Sequence, residues 1–237
     1  MSWLTRLERW MLPGECVLCR GLIAGESDDE LICGLCRCRW AKLPDPICQR
    51  CGQPLALTEL ACRLCAEWPD GLTRVRSAVW HEAGVRDAVH QLKYEGWWRV
   101  TDAMAKGMLH LEPLTGRLLL VPVPLAARRL RTRGYNQSEH LAKALGKRLA
   151  LPVGRAVLRR VRETPTQTSL TPEERVANVS GAFLAGGVKG TQVVLVDDVF
   201  TTGATLVAAA TALVAAGAKQ IDAVTFARAK PAIGDRR

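Results

Sequence analysis

No stretch of the 237-residue chain approaches the roughly 18 uninterrupted apolar residues of a membrane helix, so a helical membrane protein is not expected. The segment MSWLTRLERWMLPGEC lacks both an apolar h-region and a small-residue cleavage site, which argues against secretion and for a cytoplasmic chain. Histidine is scarce. His81, His90, His110 and His140 stand singly on predicted helices or at their edges, where structural or surface roles are commoner than general-base chemistry. Cysteine is absent beyond Cys65, and acids are depleted in the same part of the chain. Residues 1–70 hold 8 Lys/Arg against 10 Asp/Glu, whereas residues 71–237 hold 25 against 13, so the formal charge of +10 divides into −2 and +12. A basic surplus of that size favours polyanions, either a phosphorylated metabolite or nucleic acid, by neutralising phosphates and releasing counterions.

All nine cysteines fall between Cys16 and Cys65, and eight form C-x-x-C pairs: Cys16/Cys19, Cys33/Cys36, Cys48/Cys51 and Cys62/Cys65. Two residues between sulfurs let a tight turn present both to one metal, and two such turns complete a tetrahedral thiolate site. Eight thiolates fit two structural zinc ions. Chain order groups the first four and the last four; an interleaved grouping satisfies the same count, and Cys38 competes with Cys36. Disulfides are disfavoured without a secretion signal, and a redox dithiol needs one such pair, not four in a row. Residues 14–70 are rich in Gly, Pro and charge, so metal must supply the stability that a core does not. With no open coordination position, the module reads as scaffold or docking surface.

The 48% apolar content is ample for a core in the rest. Trp3, Leu4, Leu7, Trp10 and Met11 share one face of a short predicted helix. After Asp70-Gly71 strand and helix signals alternate: a strand at 75–80, helices at 82–94 and 99–109, a buried strand at 118–123, a helix from Asn136 to about Ala150, and weaker strands near 156–161 and 182–185. Asn136 with Glu139 predicts a capping box. Residues 162–181 form a long polar stretch, read as a lid. Residues 220–227 close the sheet, and a frayed basic tail begins at Arg228. The expected class is α/β, with a mostly parallel sheet flanked by helices in 71–237 and the Cys-rich module in 1–70.

The most informative segment is VVLVDDVFTTGAT, Val193 to Thr205. Four consecutive apolar β-formers predict a buried parallel strand that ends at Asp197 and Asp198, where open α/β sheets place their ligands. Paired carboxylates there can accept hydrogen bonds from two ribose hydroxyls. Thr201, Thr202, Gly203, Ala204 and Thr205 turn the chain into a helix, bringing free N–H groups and hydroxyls to a positive helix end that holds a phosphate. A solvated acid pair beside an N-cap would need fewer of these residues.

The segment resembles the phosphoribosyl pyrophosphate (PRPP) motif of type I phosphoribosyltransferases at every position. Together with the C-x-x-C ribbons and the segments HQLKYEG, VPVPLAARRLRTRGYNQSEHLA and TPTQTSLTPEERVANVSGAF, nearly the whole chain resembles the competence protein F family, also called ComF or GntX-like. The resemblance implies a type I phosphoribosyltransferase fold behind a double zinc ribbon, PRPP as ligand with Mg²⁺, and handling of incoming single-stranded DNA during natural transformation. A DNA-uptake helicase or other competence proteins are the partners it implies.

On that reading Asp197 and Asp198 hold the ribose and serve catalysis, and Thr201 to Thr205 hold the 5'-phosphate. By resemblance the loop after Val123-Pro124 faces the pyrophosphate, with Arg128 or Arg129 nearby. Purine-salvage relatives of the motif carry Asp where this chain has Thr201, and threonine cannot take a proton near neutral pH, so salvage of hypoxanthine or guanine is not expected. Three functions stay open: a phosphoribosyltransferase with an unidentified acceptor; a DNA-uptake factor that binds PRPP and single strands, using arginines beside Tyr94, Trp97, Trp98 and Tyr135; and a zinc-ribbon adaptor for a partner motor. The resemblance and the +12 balance agree on the second, and acceptor-binding residues are missing.

Overall fold

The computed structural model describes residues 14–23, 31–55, 62, 64–66, 68–116, 118–162 and 181–230. The predicted helix around Trp3–Met11, residues 163–180 of the stretch 162–181 read as a lid, and the last seven residues lie outside them.

Four strands build one parallel sheet. They are β1 (Leu72–Trp80), β2 (Leu119–Pro122), β5 (Gln192–Phe200) and β6 (Gln220–Arg228), in the order β1-β6-β5-β2. Every pair is parallel, so the four carboxyl ends share one edge. The last strand does not close the sheet from outside, as its place in the sequence suggests; it inserts between β1 and β5, and its run IDAVTFAR is buried throughout. Ile221, Ala223, Val224, Phe226 and Ala227 supply the apolar cover that a strand between two helix layers requires, while the buried Asp222, Thr225 and Arg228 find partners in Gln220, Ser77 and Cys51 O. Pro122 sits in β2, the edge strand, where a missing N–H costs least. A short antiparallel pair, β3 (Leu158–Arg160) and β4 (Phe183–Ala185), stands apart from this sheet.

Helices cover both faces. On one lie α2 (Ala83–Tyr94), α3 (Thr101–Met108, after a 3-10 turn at Trp98–Val100) and α5 (Gln137–Leu149). Val85, Ala88, Val89 and Leu92 form the i, i+3, i+4, i+7 stripe of α2, and Leu141 and Leu145 do the same for α5. These side chains meet Val194 and Val196 of β5 in one core cluster. The other face takes α6 (Ala204–Ala215), whose Leu206, Ala209, Ala210 and Leu213 pack with Val193 and Leu195. Between β2 and α5 runs α4 (Ala127–Arg133), ARRLRTR, which buries none of its residues. Among the described residues no helix is long and apolar enough to cross a membrane.

Three local expectations change. The strand does not end at the acids but runs through them to Phe200, paired with Arg228 of β6. The box at Asn136 is a simple cap: its side chain accepts from Ser138 N at 3.1 Å, while Glu139 turns to Lys143 and Arg155 at 2.7 and 2.6 Å. Arg228, expected in a frayed tail, is 1% exposed. Its guanidinium lies 4.0 Å over the Phe200 ring and donates to Cys51 O and the Gln53 side chain.

Candidate ligand site and metal centres

The cysteines form two clusters in chain order, Cys16/Cys19/Cys33/Cys36 and Cys48/Cys51/Cys62/Cys65, each with its four sulfurs within 4.8 Å of one another. Cys16–Cys36, Cys19–Cys33, Cys48–Cys65 and Cys51–Cys62 are separated by 3.9, 3.8, 3.7 and 3.5 Å. Thiolates about 2.3 Å from a tetrahedral zinc lie roughly 3.8 Å apart, so both clusters fit the ion without rearrangement. Backbone N–H groups support the sulfurs, Cys33 N donating to Cys16 Sγ and Cys36 N to Cys33 Sγ at 3.4 Å each. Cys33 also caps α1 (Gly34–Cys38), which aims Cys36 inward. Cys38 is exposed and belongs to neither cluster. The chain thus carries two zinc-binding sites, each of four cysteines.

At the carboxyl edge of the sheet, β5 delivers the acid pair. Asp197 Oδ1 accepts from the Ser138 hydroxyl at 2.7 Å and from Asp198 N at 2.9 Å. Asp198, 3% exposed, pairs with Lys93 Nζ at 2.5 Å and accepts from Gln137 Nε2 at 3.4 Å. Lys93 lies in HQLKYEG, and Gln137 and Ser138 lie in RGYNQSEH, segments whose sequence assigns these three residues no role. A signal existed: Lys93 falls four residues after Val89, on the stripe that α2 buries, where a lysine needs a partner.

The two carboxyls ionise very differently. Burial, then the charge of Asp198, raises Asp197 to about 7, with the Ser138 hydroxyl opposing. Burial also raises Asp198, but the Lys93 ammonium outweighs it and holds that carboxyl below its ordinary value. A group that keeps its proton more tightly when folded makes the fold progressively less stable as pH rises from the ordinary carboxyl value, 3.8, to about 7. Asp197→Asn is therefore expected to be more stable than the parent at pH 8, on the order of 2–4 kcal/mol, with the margin vanishing near pH 4. Urea denaturation of both across that range checks it; a margin independent of pH would contradict the coupling.

Past Phe200 the chain passes Thr201, exposed, and Thr202, whose Oγ1 accepts from Ala204 N at 3.4 Å. Gly203 is the N-cap of α6 with φ +83° and no side chain to cap the helix, leaving first-turn N–H groups to the loop. Glycine is required there twice over: an added Cβ would lie 2.7 Å from Trp68 and 3.0 Å from Phe200, and the backbone is left-handed. Ala204 and Thr205 form the first turn. Across the same edge, Arg128 and Arg129 stand exposed in the first turn of α4, after the loop that Asn136 Nδ2 anchors to Val123 O at 3.0 Å.

Beside the acid pair lies an aromatic patch. Tyr94, Trp97 and Trp98 are 68%, 44% and 44% exposed, with Arg133 over the Tyr94 ring at 5.5 Å and His140 stacked on Trp98 at 4.8 Å. Tyr135 does not join it as a free ring: half-buried, it packs against the core and donates its hydroxyl to Leu92 O. Arg133 donates to Gln137, whose amide reaches Asp198, so patch and acids share neighbours.

Two family models match the chain, a phosphoribosyl transferase domain over residues 131–236 and a double zinc ribbon domain over residues 7–66. The fold and the paired thiolate clusters thus define a phosphoribosyltransferase-type domain behind two zinc sites. The chain belongs to the ComF-like family. It is 32% identical over 218 residues to the DNA utilization protein YhgH of Escherichia coli (strain K12), covering 89% of this chain and 95% of that one. Competence protein F of Haemophilus influenzae is 28% identical over 227 residues, covering 90% and 96%, and competence protein ComFC of Bacillus subtilis is 27% identical over 210, covering 84% and 85%.

Proposed function

We propose that the carboxyl edge of the sheet binds PRPP with Mg²⁺ and that the neighbouring basic, aromatic surface binds single-stranded DNA, in the service of DNA uptake in the cytoplasm. One observation carries the reading: two carboxylates near the carboxyl end of a central parallel strand stand a few residues before a helix that has glycine as its N-cap and Thr201, Thr202 and Thr205 at its entry. Asp197 and Asp198 take the ribose hydroxyls; Thr201, Thr202, Gly203, Ala204 and Thr205 take the 5'-phosphate. Hard carboxylate oxygens and substrate phosphates are the donors Mg²⁺ prefers, and bound there it would neutralise charge growing on a pyrophosphate leaving group. Lys93 occupies Asp198 with a cation that can turn to the pyrophosphate once ribose hydroxyls engage the acid. Arg128 and Arg129 face the same anion or the DNA backbone.

The names of the relatives, DNA utilization and competence, support the DNA half. So do a helix of four arginines that buries nothing and three exposed rings beside it. Fluorescent single strands titrated at rising salt test it: log K is expected to fall linearly with log salt, and Tyr94→Ala with Trp98→Ala to weaken binding about 10- to 100-fold without changing the slope. A flat salt response would remove the arginines as the contact.

A second reading, phosphoribosyl transfer to an acceptor, is favoured by the divergent ionisation of the acid pair, which is how neighbouring carboxyls divide acid and base duties. Pyrophosphate release from PRPP in the presence of DNA separates transfer from binding.

A further inference from the structure

The second cysteine cluster touches the phosphate loop through a short set of contacts. Trp68 follows Cys65 by three residues, and Arg50, between Cys48 and Cys51, fixes that stretch with its guanidinium. It donates to Cys65 O at 3.1 Å, Trp68 O at 2.9 Å, Pro69 O at 2.7 Å and Leu72 O at 3.3 Å. The indole so held meets Phe200 at 6.1 Å between centroids and stands where a Cβ of Gly203 would be. From the other side Arg228 clamps Phe200 at 4.0 Å while donating to Cys51 O at 2.8 Å. The backbone of Val75 donates to Arg50 O at 2.7 Å, which joins the cluster to β1 as well. Phe200 and Gly203 bracket Thr201 and Thr202, so both ends of the turn rest on groups whose positions depend on the thiolate site.

We infer that the second zinc site braces the phosphate-binding turn, with Trp68 and Arg228 as positioning residues, so that zinc at Cys48/Cys51/Cys62/Cys65 and a sugar phosphate at the turn strengthen each other's binding. The second half of this statement rests on the PRPP reading; the first does not. A turn held in place before binding spares the ligand the entropy of ordering it, and linkage makes the benefit reciprocal: whatever factor zinc gives PRPP, PRPP gives zinc.

Hydrogen exchange of the full-length, two-zinc protein tests the brace. In Trp68→Ala, the amides of Val207 and Ala208, the first of which closes the turn onto Gly203 O at 2.9 Å, are expected to exchange at least about 10-fold faster while those of β5 and β6 keep the parent's rates and zinc content stays at two; Trp68→Phe is expected to restore most of the protection. Exchange at Val207 and Ala208 unchanged in Trp68→Ala would overturn the brace. In the second arm, zinc affinity is measured by competition with a coloured chelator with and without PRPP and Mg²⁺. One of the two zinc sites is expected to bind at least about fivefold more tightly with PRPP in the parent and not in Trp68→Ala. If PRPP binds the parent by calorimetry yet tightens neither site, the coupling is wrong. If exchange at the turn responds as expected but PRPP does not bind, the brace stands and the sugar-phosphate reading falls.

Discussion

Cys51→Ser is expected to unfold most of the protein at room temperature, not the ribbon alone. A serine hydroxyl is a poor substitute for a thiolate ligand, and structural zinc in small modules contributes on the order of 10–16 kcal/mol of apparent binding free energy. The damage spreads because the residue's own carbonyl, with the Gln53 side chain, satisfies the buried guanidinium of Arg228 in the central strand β6. Gly52 beside it sits so close to β1 that a Cβ would lie 2.8 Å from Val75 O, at φ +69°. Leaving a buried charge without partners costs about 3–5 kcal/mol, against a total stability of about 5–15 kcal/mol for a typical domain. Metal analysis of the parent should return two zinc per chain, and far-UV circular dichroism of the variant should show lost strand and helix signal. A folded variant with an ordinary melting transition would mean that the sheet does not depend on the ribbon.

The second large effect concerns the ion pair at the acid cluster. Asp198→Asn is expected to destabilise by about 2–4 kcal/mol, because it leaves the Lys93 ammonium, 22% exposed, without its counter-charge. Adding Lys93→Met is expected to recover most of that loss, since the pair then disappears together and the methionine continues the apolar stripe of α2. Equilibrium denaturation of parent, two single variants and double variant gives the coupling directly. Additive costs would show that the two side chains stabilise the fold independently and that the 2.5 Å contact carries no energy.

The parts of the molecule that were legible in advance are those written in local pattern. Contiguous apolar β-formers marked β5, amphipathic periodicity marked α2, and the four C-x-x-C spacings marked eight thiolates for two metal ions, whose grouping in chain order only the sulfur positions show. The acid pair and the Thr-Gly turn were legible for the same reason: one segment carries both. What escaped was non-local. Nothing in residues 220–228 says that the last strand slots between β1 and β5, because its apolar residues suit any covered position and Asp222, Thr225 and Arg228 name no partner by spacing. Arg228 looked like part of a loose basic tail, and only the register against Phe200 and the approach of Cys51 O show why a charge is buried there. Lys93 and Ser138 lie 105 and 59 positions from their aspartate partners, and no spacing rule joins such residues. The capping box failed through competition: Glu139 finds Lys143 and Arg155, two cations that outweigh one backbone N–H.

The central claim is that adjacent carboxylates and a threonine-lined turn hold the two ends of an activated pentose. Calorimetric titration of PRPP with Mg²⁺ into the parent and into the double variant Asp197→Asn, Asp198→Asn tests it most directly. One site per chain in the parent and at least about a 100-fold loss of affinity in the folded variant are predicted. A variant that binds as tightly as the parent would contradict the account.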